Sequence, residues 1–128
     1  MDQFDKMKSE LRIKEWEREE AEHDYKKAQK DLLERYGYLE EKTRQLNNMI
    51  EWKYRYVREA LEQSNCQIDD LQQLLHTNLS NWSAQIHHEH RCSLHRLDQE
   101  QDELNRSYKQ QCQKLQNDID DIYSKYKE

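Results

Sequence analysis

Across 128 residues the chain contains no proline and a single glycine, Gly37. Proline fixes φ and removes a backbone donor, and glycine reaches conformations closed to other residues, so these two are how a chain makes its turns. A chain that nearly lacks both has few ways to build a compact, looped domain. Charged side chains make up 38% of the sequence, and the strong helix formers Glu, Lys, Gln, Leu and Arg dominate it. That combination predicts long helix and argues against disorder.

The apolar residues place a seam on that helix. Ala21, Tyr25, Ala28, Leu32, Leu39, Leu46, Ile50, Val57 and Leu61 recur in steps of three, four and seven. Ile68, Leu71, Leu75, Leu79, Trp82 and Ile86 continue the stripe, and Leu97, Leu104, Tyr108, Cys112, Leu115, Ile119, Ile122 and Tyr126 finish it. A narrow stripe with many sevens is the coiled-coil pattern.

One helix of this length would run for about 190 Å, so the chain is expected to fold back. Asn47-Asn48, Gln63-Ser64-Asn65 and Thr77–Asn81 are the candidate breaks. Ser64-Asn65 is favoured: Ser64 and Gln67 read as a capping box ahead of Ile68, and the break lies at the midpoint. The expected fold is all-α, an antiparallel two-helix hairpin forming one domain over 1–128. Arm one spans about 3–62, the turn about 63–67 and arm two about 68–126. Thr77–Asn81 is kept as an alternative turn or as a kink in the second arm. Gly37, flanked by helix-compatible residues, is a weak point costing about 1 kcal/mol.

With 34% hydrophobic residues, eight tyrosines among them, a sizeable core is not expected. A hairpin buries one stripe per arm, yet the first arm carries apolar residues off its seam. Ile13 and Trp16 stand away from the Phe4, Met7, Leu11 line. Trp52 and Tyr56 lie about 200° around the helix from Ile50. Large aromatics on an outward face mark interfaces. Ile13, Trp16, Trp52 and Tyr56 are therefore the expected partner-binding residues, with Trp82 joining them if the chain bends at Thr77–Asn81. The hairpin would then be completed by helices of a partner.

His87-His88-Glu89-His90-Arg91-Cys92 followed by His95 is the other conspicuous segment. His88, Cys92 and His95 fall at i, i+4 and i+7 on one helix face and are the candidates for a metal. A structural zinc site needs four ligands, and no fourth is near. The segment therefore reads as a histidine-rich polar face, with no metal or other cofactor expected. Histidine chemistry also leaves a pH-sensitive surface open.

Trp52-Lys53-Tyr54-Arg55-Tyr56-Val57-Arg58 interleaves aromatics and cations in the manner of a nucleic-acid platform, but on a helix these side chains radiate instead of lining one groove. The formal charge is −6, with 14 basic and 15 acidic residues over 1–61 and 7 and 12 over 62–128. A net acidic chain does not favour nucleic acid or anionic membranes, so the segment reads as a helix interface with a basic rim. The carboxylates stand among lysines and arginines, with pairs such as Glu22–Lys26 and Glu40–Arg44 supporting the helix. There is no Gly-rich phosphate loop and no nucleophile with a positioned base. An enzyme is not expected.

Met1-Asp2-Gln3-Phe4-Asp5 has neither the basic nor the apolar part of a secretory signal. No apolar run approaches the about 18–20 residues of a membrane span. Cys66, Cys92 and Cys112 are odd in number with no Cys-x-x-Cys spacing, which suits reduced thiols. A cytoplasmic protein is expected, with export alongside a client left open.

Gln101-Asp102-Glu103-Leu104, and the run from Leu115 to Lys127 (Leu-Gln-Asn-Asp-Ile-Asp-Asp-Ile-Tyr-Ser-Lys-Tyr-Lys), resemble the ending of the LXG-associated α-helical (Lap) proteins of Gram-positive bacteria. The resemblance covers about the last 60 residues. It implies a targeting factor or chaperone that binds the N-terminal helical LXG domain of a toxin for type VII secretion, alongside a second, WXG100-like helical protein. The chain has no Trp-x-Gly, and Phe4 is followed four places on by Lys8, so the Phe-x-x-x-Asp motif of the WXG100-like class is missing. The resemblance is therefore to the other, non-WXG class. Tyr36 and Glu40 match the Tyr-x-x-x-Asp/Glu shape of type VII export signals, which a tyrosine-rich helix also produces by chance. Other readings of a coiled-coil hairpin are a stalk protein of a type III or flagellar export apparatus and a self-assembling structural coiled coil.

Overall fold

The computed structural model describes residues 2–64 and 69–127. It consists of two helices, α1 over Gln3–Gln63 and α2 over Asp69–Lys125, packed antiparallel as an all-α hairpin. The start of α1 is capped by Asp2, whose Oδ1 accepts the Asp5 backbone N–H at 2.8 Å. A short acceptor there satisfies a donor the helix cannot. Asp69 and Asp70 in the first turn of α2, and Lys125 in its last, complement the helix dipole.

The expected turn over 63–67 falls largely on residues 65–68, which lie outside the described residues, as does the Gln67 half of the capping box. Gln63 closes α1, and the Ser64 hydroxyl donates back to the Leu61 carbonyl at 2.9 Å. Thr77–Asn81 is continuous helix within α2, so no break or turn occurs there. Gly37 likewise lies inside α1.

Two compact units make up the chain. The first comprises residues 1–33 and 98–128. Ala21, Leu32, Leu115 and Ile119 are buried in it. The rings of Tyr25 and Tyr108 stack at 4.0 Å with planes 5° apart, and the Tyr25 hydroxyl donates to Asn105 Oδ1 at 2.5 Å. Polar contacts flank this core: Lys14 with Asp118 at 3.2 Å, Arg18 with Gln116 at 2.9 Å, and Lys125 with Glu10 at 3.4 Å. As residue numbers rise along α1 their partners on α2 fall, which is the antiparallel register.

The second unit comprises residues 34–97. Leu97 is its one buried apolar side chain among the described residues. Leu39, Leu46, Ile50, Leu79 and Ile86 are half-buried. Thr43 Oγ1 and His90 Nδ1 lie 3.0 Å apart across the seam. The expected stripe departs from the observed one in three places. Val57 and Leu71 are exposed. Trp82 is exposed too, and the half-buried position in that turn is Ser83. The seam steps four residues from Leu79 to Ser83 and three on to Ile86, which leaves the Trp82 indole on the flank.

Candidate partner-binding site

The aromatic residues expected to bind a partner divide between the two units. In residues 34–97, Trp52 and Tyr56 are each 63% exposed and Trp82 is 47% exposed. Trp52 and Tyr56, one turn apart on α1, stack at 5.6 Å with an interplanar angle of 16°. Stacking at i, i+4 favours this arrangement of the rings and so reduces the entropy lost on contact.

Tyr56 does more than face outward. With Val57, Tyr54 and Lys53 from α1, and Leu75, Leu79 and Trp82 from α2, it lines an apolar cleft of about 170 Å³. Trp82 and Lys53 also border a second cleft, of about 310 Å³, with Leu46, Met49, Ile50, Gln85, Ile86 and Glu89. Trp82 therefore belongs to this surface although the bend expected to bring it there is absent. Met49 lines the second cleft and Leu74 is exposed in the same unit; neither was singled out by the sequence. The seam pattern itself could have found Leu74, which stands next to the seam residue Leu75 and so must point off it.

The rim of this surface is charged. Arg55 pairs with Glu51 at 3.8 Å and Arg58 with Glu62 at 3.9 Å, while the Arg58 guanidinium lies 5.9 Å from the Tyr54 ring. An apolar centre with a polar margin is the anatomy of a protein interface.

Ile13 and Trp16 lie in the other unit and are not among the residues lining that cleft. Both are exposed. Ile13 lines a shallow groove of about 420 Å³ with Glu10, Lys14, Asp118, Asp121, Ile122 and Lys125. Asp118 raises the Lys14 pKa, first through its hydrogen bond, and Glu10 does the same for Lys125. Trp16 is not among the residues lining that groove.

The candidate metal residues lie on α2. His88 Nε2 and Cys92 Sγ approach to 3.7 Å, and Cys92 is exposed. His95 is exposed on the same face, one turn on from Cys92. Among the described residues, no three or more His, Cys, Asp or Glu side chains gather in a way that could hold a metal ion. Nor, among those residues, is any helix long and apolar enough to cross a membrane.

No family model matches this chain, and no curated protein or solved structure is significantly similar to it.

Proposed function

We propose that this chain is a non-enzymatic helical adaptor, a targeting chaperone that packs its hairpin against helices of a client protein. The observation that carries the reading is the state of residues 34–97. Among the described residues one apolar side chain is buried there, while Met49, Trp52, Tyr56, Val57, Leu71, Leu74 and Trp82 are exposed. Tyr56, Val57 and Trp82 line the apolar cleft and Met49 the second one, and large apolar side chains outside the core are best accounted for by burial against another surface. A client helix fits that surface by laying an i, i+3, i+4 face along it, with Trp82 and the Trp52–Tyr56 stack as anchors. The margin is mixed in sign, Arg55 and Arg58 standing beside Glu51 and Glu62, which suits a client helix with charges of both signs at its edges.

The client class follows from the resemblance of the last 60 or so residues to the Lap proteins. On that basis the client is the N-terminal helical domain of an LXG-type toxin destined for type VII secretion. A second, small WXG100-like helical protein completes the assembly, which forms in the cytoplasm.

The test is co-expression with the helical domain of a toxin encoded beside this chain, followed by affinity capture and size-exclusion chromatography. Wild type forms a stable complex. Trp52→Ala with Tyr56→Ala leaves the circular-dichroism helicity nearly unchanged, because both side chains are exposed, and abolishes the complex. A double variant that binds the client as well as wild type rules out this surface as the binding site.

A further inference from the structure

His88 and Cys92 form a pair of metal-binding side chains that the adaptor reading does not use. They stand one turn apart on α2, and His88 Nε2 lies 3.7 Å from Cys92 Sγ. Zinc bonds to thiolate at about 2.3 Å and to imidazole at about 2.0–2.1 Å, so a tetrahedral ion holds such atoms about 3.6 Å apart. The observed separation is close to one edge of a zinc tetrahedron, and without a metal it is a hydrogen bond between the thiol and the imidazole. A linear two-coordinate ion would need the two atoms farther apart.

One edge supplies two ligands, and a closed structural site takes four. Among the described residues no third ligand joins the pair within the chain. Two copies related by a two-fold axis would each present the same edge, since a symmetric contact brings a patch against itself. The result is Cys₂His₂, a complete structural zinc set.

The surroundings suit such a contact. Asn81, Ala84, Gln85, His95 and Gln99 share the face with the pair and are all exposed. Glu89, which accepts from the Gln85 side chain at 3.5 Å, borders the pair together with Arg91 and Arg96, so each copy brings charges of both signs to the margin of the contact.

We propose that His88 and Cys92 are half of a zinc site, completed by His88 and Cys92 of a second copy of this chain. Zinc binds thiolate and neutral imidazole, so each ion displaces two thiol protons to solvent, one from each Cys92. No electron is transferred, and the thiols must be reduced beforehand. The proposal is independent of the adaptor reading, and failure of client binding would leave it untouched.

The experiment titrates the full chain, kept reduced by a phosphine, with zinc and separately with cobalt(II) as a spectroscopic stand-in. Mass is followed by analytical ultracentrifugation. The expected result is saturation at about one metal per two chains, a doubling of mass that a chelator reverses, and cobalt bands typical of tetrahedral thiolate–imidazole coordination. A chain carrying Cys66→Ser and Cys112→Ser should behave the same, with Cys92 its only thiol. His88→Ala and Cys92→Ser, both at exposed helix positions, should each lose the dimer and the cobalt spectrum while retaining wild-type helicity. No binding, one metal per monomer, or binding that survives either substitution would overturn the proposal.

Discussion

Tyr108 shows how much a single residue carries in so thin a structure. Its ring lies flat on Tyr25, and its pKa is raised, first by the hydrogen bond with Cys112 and then by desolvation. A phenol whose folded pKa lies above its unfolded one stabilises the fold below about pH 10 and loses that contribution as pH climbs through the folded value. Lys14 and Lys125 are raised as well, through Asp118 and Glu10. Each keeps its proton, and its ion pair, to higher pH when folded. All three shifts have the same sign, so stability is expected to be retained below about pH 10 and to fall above it. Melting temperatures measured across the alkaline range test this. Absorbance at the tyrosinate band should also show the Tyr108 phenol titrating late, a component that Tyr108→Phe should remove.

The element scale belongs to Gly37. It lies inside α1, and a Cβ built there meets nothing within 4 Å. Glycine in a helix interior costs about 1 kcal/mol relative to alanine, largely through backbone freedom lost on folding. Gly37→Ala is therefore expected to stabilise the hairpin by about 1 kcal/mol. For a chain this long that raises the melting temperature by roughly 3–6 °C. A melting temperature that falls would mean that the backbone at Gly37 is not helical in solution. The helices themselves were legible because breakers are missing and the apolar steps are three and four. Trp52 and Tyr56 were legible as exposed for the same reason, since 200° from the seam leaves few places to hide. The cleft was not. Whether Tyr56 meets Leu75, Leu79 and Trp82 depends on how far apart the two helices run, and the period of one helix does not encode that spacing. Trp82 was misplaced on the seam because a step of three and a step of four both reach apolar-compatible positions there. Ser83, the smaller residue, fills the seam.

At the scale of the whole molecule, the buried residues are unevenly distributed. Residues 1–33 and 98–128 hold Ala21, Leu32, Leu115 and Ile119 in their interior, together with the stacked tyrosines and the cross-helix polar contacts Lys14–Asp118, Arg18–Gln116, Tyr25–Asn105 and Lys125–Glu10. Among the described residues of 34–97, Leu97, at their very end, is the buried apolar side chain, and Thr43–His90 and the edge-on Tyr54–His76 rings cross between the helices. Local opening is easiest where few apolar contacts must be broken. Backbone amides of 34–64 and 69–97 should therefore exchange with deuterium faster than those in the middle of 1–33 and 98–128, although both sets are helical. Terminal fraying works in the opposite direction, so the contrast is expected between helix interiors. An adaptor can use that difference, because a client that binds only the folded form stabilises it by RT ln(1 + [L]/Kd), about 2.7 kcal/mol at a hundredfold excess over Kd. The gain in protection should appear first around Met49 to Val57 and Leu74 to Trp82, where the exposed apolar side chains lie. Uniform exchange along both helices, unchanged by client, would mean that residues 34–97 are already complete alone.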